Sequence, residues 1–289
     1  MEGAANLTAL AMEEASKQPH QAAGALAAVD IAIEPGFPDV QPPAIPAAKI
    51  TAAGIASCST CLSYHSNLCA ALNKWLATDG EPRAALLGST VHTVPARRTI
   101  CHAKEWSEYV TVVCEGWATS STALPDGRRQ IHSILLPGDL ILSTGPFNPV
   151  FGHSVEAVTA VTCRRYRRSE LEALVLTNPD VFKRLTTMWS EARTQANQLA
   201  LSLGRRTAHE RIACFILMLA EGLARRGMLA DDVMEFPLRL KHIADATGLT
   251  PVHVSKVQTE FQRNGLIEIK DRSLAILDRA ELRHIAGPQ

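Results

Sequence analysis

The sequence has no net charge, no long apolar run and no basic amino-terminal patch, and each absence removes a class of protein. Lysine plus arginine number 29 and aspartate plus glutamate also number 29 among the 289 residues. No overall field therefore draws the chain to nucleic acid or to an anionic membrane, and any such contact has to come from a local patch. The longest uninterrupted apolar run, Ile212 to Ala220, stops at Glu221, well short of the ~20 residues that cross a bilayer. Glu2, Glu13 and Glu14 occupy the stretch where a secretory signal needs positive charge, so the expectation is a cytoplasmic protein without a membrane span. No Gly-rich phosphate loop and no hydrolase order of Ser, His and Asp stands out. What is present is 46% hydrophobic and 20% charged residues, enough for one large core or two small ones and incompatible with disorder of the whole chain.

Residues 1–50 are rich in Ala and Pro, with Pro35-Gly36-Phe37-Pro38 and Gln41-Pro42-Pro43-Ala44-Ile45-Pro46 near their end. Prolines this dense disfavour helix, so an extended or disordered leader is expected. Within 51–178, short apolar runs alternate with turn residues: Thr90 to Val94, Tyr109 to Val113, Ile131 to Leu136, Leu140 to Leu142 and Val155 to Val161. That spacing predicts a β-sandwich or roll. Leu124-Pro125-Asp126-Gly127-Arg128 suits a tight hairpin turn, and Leu136-Pro137-Gly138-Asp139-Leu140 marks another.

Asn178-Pro179-Asp180 is a helix start, with proline and an acid in the first turn. Apolar residues then recur at Val181, Leu185, Met188, Ala192, Ala196, Leu199 and Leu203. So narrow a stripe on 179–204 is best satisfied by a second copy of the same helix. A homodimer is expected, with Leu185, Met188, Ala192, Ala196 and Leu199 at its interface; packing within one chain is the alternative. A domain boundary falls near Gly204, and 205–289 form a separate unit.

Within Leu240 to Asn264 the residues meet the steric demands of a helix-turn-helix. Ala244 is small where two helices cross, and Gly248 stands where the turn needs positive φ. Ile243, Leu249, Val254 and Val257 are apolar where the pair must pack, while Thr250 and Pro251 form an N-cap and first-turn pair. An ordinary helical hairpin would also accept the glycine, but not require the other matches. In this arrangement Val252, His253, Ser255 and Lys256 face the major groove of double-stranded DNA. Thr250, Arg239, Lys241 and Arg263 are candidates for phosphate contacts that position the helix without reading sequence. The segments Gly265 to Lys270 and Leu274 to Leu277, joined by Asp271-Arg272-Ser273, read as strand, turn and strand, which makes a wing.

Seven cysteines remain, three of them as Cys58-x2-Cys61-x7-Cys69. In a reducing compartment this spacing reads as metal or redox chemistry before it reads as a disulfide scaffold. Tetrahedral zinc and a cubane iron–sulfur cluster both take four ligands, so Cys101, Cys114 or Cys163 has to close the site. Cys214 lies in an apolar helix and reads as a small buried hydrophobe.

These residues together resemble the Crp/Fnr transcription regulators, specifically the Fnr-type oxygen sensors with a 4Fe-4S cluster. The resemblance runs from about Cys58 to the C-terminus. It is carried by the cysteine spacing, by Arg129-Gln130-Ile131 with Leu136-Pro137-Gly138-Asp139-Leu140, by Ala208-His209-Glu210-Arg211-Ile212-Ala213, and by Gly248-Leu249-Thr250. It implies an α+β architecture: an N-terminal β-roll of the cyclic-nucleotide-binding kind, a long dimerisation helix and a C-terminal winged helix-turn-helix. It also implies that Cys163 joins Cys58, Cys61 and Cys69 as the fourth ligand, that RNA polymerase is a further partner, and that the protein is not an enzyme. Two positions depart from the family pattern. Gly138-Asp139-Leu140 is followed by no arginine before Arg164, which argues against cyclic AMP sensing. Fnr-type recognition helices present Glu, Ser and Arg to the half-site, where this chain has Val252, Ser255 and Lys256.

Two other functions compete with an oxygen-responsive regulator. Zinc or a thiol switch on the same cysteines would leave a regulator of another signal. A dithiol enzyme using Cys58 and Cys61 would need neither a third close cysteine nor a helix-turn-helix. His65, His102 and His132 are read as solvated or structural rather than as ligands.

Overall fold

The computed structural model describes residues 89–141 and 147–287; the leader and Cys58, Cys61 and Cys69 lie outside the described residues. The first described strands are β1 (Thr90–Val94), β2 (Thr99–Cys101), β3 (Tyr109–Glu115), β4 (Ala118–Ala123), β5 (Arg129–Leu135), β6 (Ser154–Ala157) and β7 (Val161–Arg167). They form two antiparallel sheets, ordered β1-β7-β3 and β2-β6-β4-β5. Inward-facing Val113, Leu135, Ile141, Phe151, Val155 and Val161 fill the space between the sheets together with Cys101 and Cys163. The expected hairpin turn joins β4 to β5: the Gly127 N–H donates to the Leu124 carbonyl, and the Asp126 carboxylate accepts from the Arg128 N–H at 3.0 Å.

Three features of the roll differ from the expectation. Val155 to Val161 is not one strand, because the chain turns over Trp117, whose carbonyl accepts from the Val158 and Thr159 N–H groups. The halves on either side of that turn join different sheets. Leu140 makes a single bridge to Val112 and starts no strand, since the turn that precedes it uses Gly138 and Asp139 to reach β3. Strand β4 carries no apolar alternation, yet Thr119, Ser120 and Ser121 are buried in it; its place is set by pairing on both sides rather than by a hydrophobic face.

After the roll come α1 (Arg168–Thr177) and α2 (Pro179–Arg205). The Asn178 side chain caps α2, accepting from the Asp180 and Val181 N–H groups, and Pro179 occupies the first turn, where a missing N–H costs nothing. Val181 and Leu185 face inward against Val110, Val112, Tyr166, Leu171, Leu174 and Val175 of the same chain, with Met188 packed at the edge. Leu185 is therefore buried within its own protomer, and the stripe open to a second copy begins at Met188. Ala192 and Ala196 are exposed, and Leu199 is half-buried.

The chain continues through α3 (Ala208–Ala224), β8 (Val233–Glu235), α4 (Leu240–Thr247), α5 (Pro251–Arg263), β9 (Ile267–Lys270), β10 (Ser273–Ile276) and α6 (Arg279–Ala286). A reciprocal cap starts α3, with the Thr207 N–H donating to the Glu210 carboxylate and the Glu210 N–H to the Thr207 hydroxyl. Strands β8, β10 and β9 form a small sheet. Asp271 and Arg272, both at positive φ, make the tight turn of the expected wing. One apolar core joins α3, α4, α5, the wing and α6 to Trp117, Ile131, Ile134 and Leu136 of the roll. Among the described residues no helix is long and apolar enough to cross a membrane.

Truncation of a fully buried leucine removes its transfer energy and leaves a cavity. Leu185→Ala is expected to lower stability by about 2–5 kcal/mol, with the same loss in urea unfolding at every protein concentration. A loss that disappeared on dilution would place Leu185 against a second copy instead.

Candidate nucleic-acid interface

Helices α4 and α5 are joined by a turn whose chemistry is local. Gly248 adopts φ +65°, and a Cβ there would lie 2.7 Å from Leu203 Cδ2. The left-handed backbone favours glycine, and an added side chain would also have to displace the tip of Leu203. The Gly248 and Leu249 N–H groups both reach back to the Ala244 carbonyl. Thr250 caps α5, its hydroxyl oxygen accepting from the His253 N–H at 3.2 Å, and Pro251 follows in the first turn.

Helix α5 has two faces. Val254, Val257, Gln258 and Phe261 are buried, while Val252, His253, Ser255 and Lys256 are exposed. Val252 is 76% exposed, an apolar side chain held outward beside a serine and a lysine. Such a surface offers a methyl contact, a hydroxyl and an ammonium to base edges. Arg239, Lys241, Thr250 and Arg263 are also exposed, so four cations, Arg239, Lys241, Lys256 and Arg263, lie on and beside the two helices of a chain with no net charge. Farther along α5, Glu260 pairs with His209 at 3.0 Å. That hydrogen bond holds the Glu260 carboxyl below its ordinary range.

Two contacts that sequence periodicity does not signal hold this unit in place. The Arg211 guanidinium donates to the carbonyls of Leu203, Arg206 and Thr247 at 2.9, 2.9 and 3.2 Å. At the other end of α4, His242 Nδ1 accepts from the Arg239 N–H at 3.2 Å, satisfying a donor the helix start leaves free. Burial, and then the nearby Arg129 guanidinium, push the His242 imidazole below its ordinary value, in keeping with an acceptor nitrogen.

Of the four candidate metal ligands only Cys163 is described. It stands in β7 opposite His92 and Val113, is 1% exposed, and burial pushes its thiol up to about 12. Cys101 is buried in the same interior, also with its thiol pushed up to about 12, whereas Cys114 is half-buried. Cys214 is buried in α3, its Sγ 3.3 Å from the Ala286 carbonyl. Among the described residues no group of three or more His, Cys, Asp or Glu could hold a metal. A buried thiol of this kind suits a metal centre in donor chemistry, because a cation beside it compensates a thiolate that burial alone disfavours. Asp139 is engaged elsewhere: its carboxylate accepts from the Leu136 N–H and pairs with Arg226.

The Crp-like helix-turn-helix domain matches residues 210–285, and the cyclic nucleotide-binding domain matches residues 91–178. The chain is 31% identical over 233 residues to the nitrogen fixation regulation protein FixK of Bradyrhizobium diazoefficiens, covering 80% of this chain and 94% of that relative. It is 29% identical over 235 residues to the transcriptional activator protein FnrL of Cereibacter sphaeroides, covering 80% and 92%. The solved structure of FixK2 from Bradyrhizobium japonicum superposes with a TM-score of 0.63 at 29% identity, covering 70% of this chain and 100% of that one.

Gly248→Ala forces a side chain into a left-handed backbone and against Leu203. It is expected to cost at least about 1 kcal/mol and to weaken binding to DNA of any sequence. Thermal unfolding and duplex titration check this; an alanine variant as stable as the parent would contradict the packing described.

Proposed function

The chain belongs to the Crp/Fnr family of DNA-binding transcription regulators, and from that premise we propose that it is a dimeric, oxygen-responsive member whose operator binding depends on a 4Fe-4S cluster. Regulators of this family bind DNA and act as dimers; the relatives are regulators, not enzymes. The observation that carries the proposal is the Cys58-x2-Cys61-x7-Cys69 spacing in a chain with this fold. Cys58, Cys61, Cys69 and Cys163 would hold the cluster, which when bound supplies an oxygen-labile link between the amino-terminal segment and β7. RNA polymerase is the further partner this reading implies, and the cytoplasm is its place.

The chain's own residues do the rest. Met188, Ala192, Ala196 and Leu199 pair α2 with its copy. The two alanines bury little area, so the pairing is weak enough for a few kcal/mol at the sensor to tip it. Pairing sets two copies of α5 about 34–36 Å apart, one turn of DNA. Val252, Ser255 and Lys256 then read base edges while Arg239, Lys241, Thr250 and Arg263 hold phosphates. A second reading, zinc or a thiol switch on the amino-terminal cysteines, is favoured by one observation: Cys163 is enclosed between the sheets and only 1% exposed.

Protein prepared without air is expected to contain iron and acid-labile sulfide, to lose both in Cys163→Ala and to keep both in Cys101→Ala. Zinc without sulfide would establish the second reading, and iron retained in Cys163→Ala but lost in Cys101→Ala would overturn the choice of ligand.

The Val252 side chain has no acceptor for cytosine N4, which the glutamate of Fnr-type recognition helices supplies. Val252→Glu is expected to change the preferred base at one position of each half-site by about 1–3 kcal/mol, read by selection from a random duplex pool. Identical preferred half-sites in both proteins would remove Val252 from the readout.

A further inference from the structure

Two motifs of the roll, Arg129-Gln130-Ile131 and Leu136-Pro137-Gly138-Asp139, have no part in the DNA surface, and both reach into the carboxy-terminal unit. Arg129 Nε and Nη2 both lie 2.9 Å from Asp245 Oδ2, and Nη1 lies 2.9 Å from Glu156 Oε2. The guanidinium thus ties β5 to β6 within the roll and to α4 outside it. The side chains are 19% exposed for Arg129 and 17% for Asp245, so the pair is largely removed from solvent screening. The neighbouring Gln130 amide donates to the Ala246 carbonyl at 3.2 Å. On the second motif, the Pro137 carbonyl accepts from Arg226 Nε at 2.8 Å, and the Asp139 carboxylate pairs with the same guanidinium. Between the two polar contacts, Ile131, Ile134 and Leu136 share a core with Ile216, Ile243 and Ala246.

Asp245 and Ala246 occupy the last turn of α4, immediately before the glycine turn that aims α5. Only Gly248 and Leu249 separate α4 from Thr250, the cap of α5, so the two helices are joined by a short turn. We propose that Arg129 and Gln130 are positioning residues for DNA binding: they fix the orientation of α4 on the sensor roll and so set where α5 meets the half-site. The inference rests on the DNA binding of the family and not on the proposed cluster. A planar guanidinium contacting two carboxylates at once is not replaceable by lysine, which brings a point charge without the fixed fork.

The experiment uses full-length protein prepared without air and a duplex chosen by the parent from a random pool, alongside the same duplex with one base pair inserted between its halves. A dimer with fixed recognition helices discriminates strongly between the two. In Arg129→Gln the affinity for the chosen duplex is expected to fall about 5- to 20-fold. Affinity for the inserted duplex changes little, so the spacing preference shrinks by a similar factor. Asp245→Asn should do the same, and the double variant should lose no more than either single change, as coupled partners do. Metal content should match the parent throughout, which separates this result from a failure of the sensor reading. If Arg129→Gln does not fold, as judged by circular dichroism, Gln130→Ala removes one amide contact and should shrink the preference in the same direction. A folded variant with an undiminished spacing preference would overturn the proposal. So would one that binds the chosen duplex more tightly, since the contact would then restrain α5 rather than aim it.

Discussion

The guanidinium of Arg211 is the junction on which the arrangement depends. It donates to the carbonyls of Leu203 and Arg206 at the end of α2 and of Thr247 at the end of α4. Helix ends leave carbonyls without partners and carry partial negative charge, so a single planar cation answers both needs for two helices at once. The residue itself belongs to the first turn of α3. The helix that ends the roll, the helix that starts the DNA-binding unit and the first helix of the helix-turn-helix therefore converge on one side chain. Leu203 adds an apolar contact at the same place by lying against Gly248.

From this junction the structure extends in two directions. Along α2, one face is used within the chain, where Val181 and Leu185 complete the cluster under β3, β7 and α1, while the stripe from Met188 onward is half-buried or exposed. Along α4, the last turn rests on the roll through Arg129, Gln130 and the shared core. Helix α5 is thus referred both to α2 and to the roll.

Local chemistry was readable in the sequence and long-range contact was not. Asn178-Pro179 starts α2, and Gly248 with Thr250-Pro251 builds the turn, because caps and left-handed residues act on their immediate neighbours. The wing followed from its tight turn for the same reason. Leu185 belongs to a stripe that looks uniform along the helix, and only the position of the roll decides which part faces inward. Strand β4 is buried yet polar, so no alternation marks it. Arg211 and Thr247 are 36 residues apart, and Arg129 and Asp245 are 116 apart; pairs so distant leave no periodic trace. Arg129 and Arg211 stood within recognisable motifs, but their partners had to be seen in the fold.

In the proposed function, the amino-terminal cysteines reach DNA through pairing of α2. Sedimentation equilibrium and duplex binding, measured on one sample before and after air is admitted, test it most directly. Dimer fraction and duplex occupancy are expected to fall together as iron is lost. A dimer fraction that stays constant while duplex binding disappears would contradict it and place the switch in the orientation of a permanent dimer.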